Sequence, residues 1–187
     1  MSAPQTARHL SPQLAEIGRQ FLDNTERAKR LTAGMSDAGL IQRQSSSGWS
    51  VAECIAHLTL TTREYLSLAD SAFKDAPRAP GPYRADWMGR LLCWSQEPPY
   101  KHMKSKTLPA FVPGAIEDPL SVVPSFIESQ KLLLARLDEA EGIALDRVKV
   151  VSSFNKKIKY NLLSFFQLLA AHQRRHLWQA EQVKSQL

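Results

Sequence analysis

The stretch Leu168-Leu169-Ala170-Ala171-His172-Gln173-Arg174-Arg175-His176-Leu177-Trp178 decides how this chain is read. It reads as helix, and residues four apart share one helical face. The pattern extends from about Asn161 to Lys184. Leu162, Phe165, Leu169, His172, His176, Ala180 and Val183 fall on one side of the wheel. His172 and His176 are therefore expected to face the interior, where burying an unpaired imidazole costs free energy. A third histidine, His57, lies in a second helix-like segment, Trp49-Ser50-Val51-Ala52-Glu53-Cys54-Ile55-Ala56-His57-Leu58. If the two helices face each other, three neutral nitrogen donors can converge. Such a set binds a first-row divalent metal and leaves coordination positions open, as catalytic sites do.

Working outward, three further helices and one long connection complete the pattern. A first helix opens at Ser11-Pro12, read as an N-cap with proline in the first turn. Its stripe is Leu14, Ile17, Phe21, Ala28 and Leu31, and Gly34 is a candidate stop. The second starts at Ser50, where Ser50-x-x-Glu53 is a capping box and Trp49 is placed to staple the first turn. Val51, Cys54, Ile55, Leu58, Tyr65 and Ala69 carry it to about Phe73. Nine of the eleven prolines then lie between Pro77 and Pro124, so this stretch cannot be one regular element. A short helix from about Asp86 to Trp94 is expected within it. The third long helix runs from about Val122 to Glu139 and stops at Gly142. Val148 to Val151 reads as a short extended piece. Four amphipathic helices with almost no strand predict an all-α four-helix bundle, with the proline-rich connection between helices 2 and 3. Residues 1–187 read as a single domain.

Composition narrows the function classes. The chain of 187 residues is 43% hydrophobic, which fits a packed globule. Leu162 to Ala171, interrupted by Ser164 and Gln167, is far shorter than the ~20 residues of a membrane span. Met1 to Leu10 contains no apolar run of the kind a secretory signal needs. Two cysteines, Cys54 and Cys93, do not make a disulfide framework, and a cytoplasmic setting is expected. The net charge of +6 favours anionic partners. It is spread along the chain, and no nucleic-acid motif accompanies it.

Each candidate has a plainer reading. The pair His172/His176 is not the H-E-x-x-H of metallopeptidases, because residue 173 is Gln. Buried histidines bonded to neighbours would give the same spacing. His57 lies on the flank of its stripe. Cys54 is a rival donor but reads better as a small core residue. Glu53 is a weak candidate for moving a proton, and capping explains it without further assumption. His9 and His102 have nothing to place them near the site.

Trp49-Ser50-Val51-Ala52-Glu53-x-x-x-His57-Leu58 resembles the W-S-x-x-E-x-x-x-H-L signature of the DinB/YfiT-like superfamily. Ala171-His172-Gln173-Arg174-Arg175-His176-Leu177-Trp178-Gln179 resembles its closing H-x-x-x-H helix. Lys101 to Thr107 with Phe111-x-Pro113 is similar to a basic segment of one branch. The resemblance spans about Leu14 to Val183. It implies a DinB-like four-helix bundle with a metal, zinc or nickel, on His57, His172 and His176. It also implies dimers, and an activity such as thiol-dependent transfer with a low-molecular-weight thiol, with hydrolysis as second choice. The family name does not imply DNA binding. A non-catalytic metal- or ligand-binding protein is the alternative, and a basic nucleic-acid-binding protein is less favoured. Gln179 is placed either to assist His176 or to face solvent or a dimer partner. Lys101, Lys104 and Lys106, or Arg174 and Arg175, can bind carboxylates of a thiol cofactor or a small anionic substrate, and a solvated surface is the plainer reading. Trp87, Trp94, Tyr100 and Phe111 can wall a pocket.

Overall fold

The computed structural model describes residues 10–46, 48–99 and 107–187. Four long helices form the frame: α1 (Pro12–Thr32), α3 (Val51–Phe73), α5 (Val122–Glu139) and α6 (Leu162–Lys184). Between them lie a five-residue helix α2 (Asp37–Ile41) and a ten-residue helix α4 (Trp87–Gln96). Strands β1 (Lys149–Val151) and β2 (Lys159–Asn161) precede α6. Both α1 and α3 pack against α5 and α6, so these two helices, successive in the bundle, occupy opposite corners. α4 lies along the outside of α6.

Local chemistry sets the helix ends. Ser50 and Glu53 form the expected capping box, with Ser50 Oγ accepting from Glu53 N at 3.2 Å and Glu53 Oε2 from Ser50 N at 2.8 Å. Asn161 caps α6 through Ser164 N, and Asp86 caps α4 through Gly89 N. Ser11 departs from expectation. Its backbone N–H donates to Glu141 Oε2 at 2.7 Å, and its hydroxyl is buried without a partner instead of capping α1. Gly34 and Gly142 both follow helix ends with φ of 74° and 77°, a conformation that favours glycine.

Val148 to Val151 was expected to be extended, and β1 occupies most of it. Its partner β2 pairs antiparallel, placing Val150 opposite Tyr160 in the core. α4 docks through Gly89, where an added Cβ would fall 2.1 Å from Ser164 Cβ. Only glycine permits so close an approach of the two helices.

The interior has two apolar clusters. One gathers Leu14, Ile17 and Phe21 of α1 with Leu133 and Leu137 of α5 and Phe165 and Leu169 of α6. The other holds Ala28, Ile55, Leu58, Phe126, Leu177 and Ala180. Each large side chain buried in them contributes about 1.5–3 kcal/mol. Between the clusters every long helix contributes polar groups: Asn24 and Thr25, His57, Ser129 and Gln130, and His172, Gln173 and His176. Gln173 Nε2 donates to Gln130 Oε1 at 2.8 Å, and its Oε1 accepts from Asn24 Nδ2 and Gln130 Nε2, both at 3.1 Å. This amide network ties α6 to α1 and α5. The face of α6 that carries the histidines is thereby turned toward α3.

Candidate metal centre

His57, His172 and His176 meet. Their ligand atoms all lie within 4.8 Å of one another, the one such convergence of three or more potential metal-binding side chains among the described residues. Ring centroids are 4.4 Å apart for His57 and His176, 4.6 Å for His172 and His176, and 5.2 Å for His57 and His172. All three residues are buried, His57 the most deeply at 1% exposed. The flank position that the helical stripe gave His57 is covered by the 3₁₀ turn Pro109–Phe111.

Hydrogen bonds assign the ring protons. His57 Nδ1 donates to the Phe111 carbonyl at 2.7 Å. His176 Nδ1 donates to Gln179 Oε1 at 3.0 Å, the first of the two roles open to Gln179. Each bond leaves the opposite Nε2 with a free lone pair, as metal-binding imidazoles require. His57 Nε2 lies 3.4 Å from His172 Nε2. His172 Nδ1 is buried with no partner. In one tautomer of His172 two lone pairs face each other. In the other, its Nδ1 lone pair is unmet. The facing lone pairs carry a cost that a divalent cation held by the three imidazoles would relieve, while Nδ1 of His172 lacks a partner in either tautomer. The residues present therefore fit a divalent metal.

Burial keeps these rings neutral. It pushes His57 below its ordinary value, partly opposed by the Phe111 bond. His172 falls to about 3, by burial first and then by His57 and Arg175. His176 lies well below its ordinary value, by burial and then by repulsion from the other two histidines and Arg175. Neutral imidazole is the form that binds metal.

Aromatic rings enclose the cluster. Trp49 stacks on His176 at 5.8 Å and tilts against His57 at 4.9 Å, so it roofs the site rather than only stapling its own helix. Phe154, from the turn joining β1 and β2, stands between Phe111 and His172 at 5.5 and 6.5 Å. Sequence patterning gave no sign of Phe154 or of the Phe111 carbonyl.

The remaining candidates are placed elsewhere. Both oxygens of Glu53 are engaged by Arg43, and Oε2 also receives the Ser50 N–H. Burial alone would raise its pKa, but those bonds and the guanidinium charge outweigh it and hold the carboxyl below its ordinary value. Cys54 is buried and pushed up to about 12, by burial and then by Glu53. It does not belong to the donor group. Arg174 pairs with Glu97 and Gln20, and Arg175 Nη1 donates to Ser95 O. Trp87 and Trp94 are 71% and 69% exposed, while Phe111 is buried beside His57. His9, Tyr100, Lys101, His102, Lys104 and Lys106 lie outside the described residues.

The chain is a crossed four-helix bundle with a buried three-histidine cluster in its mid-layer, a donor group able to hold a divalent metal. Residues 20–180 match the sequence model of the DinB superfamily, and the chain belongs to that superfamily. Its fold is similar to that of YfiT from Bacillus subtilis, described as a probable metal-dependent hydrolase with an unusual four-helix bundle topology. The two share 14% identity with a TM-score of 0.63, over 100% of this chain and 94% of YfiT. No curated protein sequence matches the chain. Among the described residues, no helix is long and apolar enough to cross a membrane.

Proposed function

We propose that residues 1–187 form one domain of a metal-dependent enzyme. Its zinc or nickel ion is held by His57, His172 and His176, and it transfers a low-molecular-weight thiol to a small anionic substrate. The convergence of three buried imidazoles within 4.8 Å carries this reading. When bound, such a cation lowers the pKa of a thiol or water beside it and stabilises the anion that results. The Phe111 carbonyl and Gln179 hold the ring protons of His57 and His176 on Nδ1, so their Nε2 atoms point lone pairs inward. Trp49 and Phe154 limit water around the rings, which strengthens electrostatic interactions there.

The preference for a thiol follows from what the donor group lacks. It contains no carboxylate, and Glu53 is committed to Arg43 and Ser50. Without a general base, a nucleophile that ionises near neutrality is favoured. A thiol starts from a pKa of about 8.5, water from about 15.7. Hydrolysis is the second reading, favoured by the description of YfiT. Non-catalytic metal or ligand binding is the remaining alternative.

A homodimer and a cytoplasmic location belong to the same proposal. The exposed stripe Trp87, Leu91 and Trp94 on α4 supports the dimer, because a second copy would bury it. Cys54 and Cys93 are free, which supports the location.

Metal analysis of protein purified without a nickel column tests the centre. One bound ion per chain is expected in the parent. It should be lost in the H57A/H172A/H176A variant, and unchanged metal there eliminates the site. Consumption of a low-molecular-weight thiol together with an electrophile, set against ester or amide cleavage, decides between transfer and hydrolysis.

A further inference from the structure

Phe111 borders a second feature. The residue whose carbonyl orients His57 also lines a cavity of about 690 Å³ between α3, the Pro109–Phe111 turn and the β1–β2 hairpin. That volume is within the range of small-molecule sites, roughly 300–1,000 Å³. Leu60, Leu68 and Val151 join Phe111 in an apolar wall. Arg63 from α3 and Lys156 from the hairpin turn add two exposed cations from different elements. Neither forms an ion pair among the described residues. Glu64 contributes one carboxylate, so the charged groups lining the cavity among the described residues sum to a single positive charge. Ser152 and Ser153 of the hairpin complete the lining.

We infer that this cavity binds a monocarboxylate with an apolar acyl or aryl body, the class of organic co-substrate for the reaction proposed above, on which this assignment rests. The body lies along the leucines and Phe111, removing apolar surface from water. The carboxylate sits at the rim between Arg63 and Lys156, where charge-assisted hydrogen bonds hold it. A net of one positive charge matches a monoanion. A phosphate monoester carries nearly two negative charges, which the rim does not balance.

Titration calorimetry of the full chain with octanoate, octanamide and octylamine tests this. Octanoate should bind, and octanamide and octylamine should bind at least ten-fold more weakly. The R63A/K156A variant, changed only at exposed side chains, should lose ten-fold or more for octanoate and keep its metal content. L60W, which fills the cavity, should abolish octanoate binding. Absence of octanoate binding at millimolar concentration overturns the assignment. So does equal affinity in R63A/K156A, or octylamine binding as tightly as octanoate. Metal content measured on the same samples reports separately on the histidine centre. A metal-free parent defeats the proposed function, whereas failed octanoate binding with metal present defeats only the cavity assignment.

Discussion

Replacing Gln173 by leucine should destabilise the protein far more than a change of similar volume implies. Gln173 is fully buried, and its amide makes hydrogen bonds of 2.8, 3.1 and 3.1 Å to Gln130 and Asn24. In Gln173→Leu, Asn24 Nδ2 keeps the Ala170 carbonyl at 3.2 Å. Gln130 Nε2 keeps the Phe21 carbonyl and Thr25 Oγ1 at 3.1 and 3.3 Å. Gln130 Oε1 keeps nothing, because Gln173 Nε2 is the one donor to it among the described residues. One orphaned buried acceptor costs about 1–3 kcal/mol, and two weakened donors add to that, for a total of roughly 2–4 kcal/mol. The double variant Q130L/Q173L removes both ends of the pair. It should recover much of the loss, with a coupling of roughly 1–3 kcal/mol. Urea unfolding of the four proteins, stripped of metal by chelator, measures the cycle. A cost below about 0.5 kcal/mol for Q173L, or strictly additive effects, would refute the claim that this pair fastens α6.

Three further outcomes are expected. Gln179→Ala should weaken metal binding roughly 10- to 100-fold by freeing the His176 ring, with little change in metal-free stability; competition with a chromogenic chelator reads this, and unchanged affinity counts against the contact. Gly89→Ala should cost about 1–3 kcal/mol or more through overlap with Ser164, and Ser164→Gly in the same chain should restore part of it in thermal melts. Metal-free protein should lose stability as pH falls below about 6.5, because the unfolded chain takes up protons that the folded rings refuse. Each histidine contributes a slope of about 1.4 kcal/mol per pH unit until its folded value is reached, about 3 for His172; an equally steep acid profile in the triple alanine variant would remove the histidines as its cause.

What could be read from the chain was local or periodic. The Ser50–Glu53 box closes within four residues, so its two partners appear together in the sequence. The α6 stripe repeats often enough to orient His172 and His176 inward, and both are buried. Long-range contacts left no such trace. Ser11 resembles a cap, but its backbone bonds a carboxylate 130 positions away. The Phe111 carbonyl that fixes the His57 proton lies 54 positions from it, and any residue could supply that oxygen. α2 and β2, at five and three residues, are too short to show a period. The mid-layer amides were hidden because Asn24, Gln130 and Gln173 look like surface residues until three helices bring them together.

The band of polar side chains between the two apolar clusters also acts as a vernier on the assembly. Hydrophobic faces alone tolerate sliding, since one leucine replaces another at modest loss. Moving any long helix by one turn, about 5.4 Å along its axis, would press amides or imidazoles into aliphatic neighbours and strand their partners. The same side chains that gather the candidate donors thus veto mis-threaded packings, and the geometry of the centre is decided when the helices first lock into step.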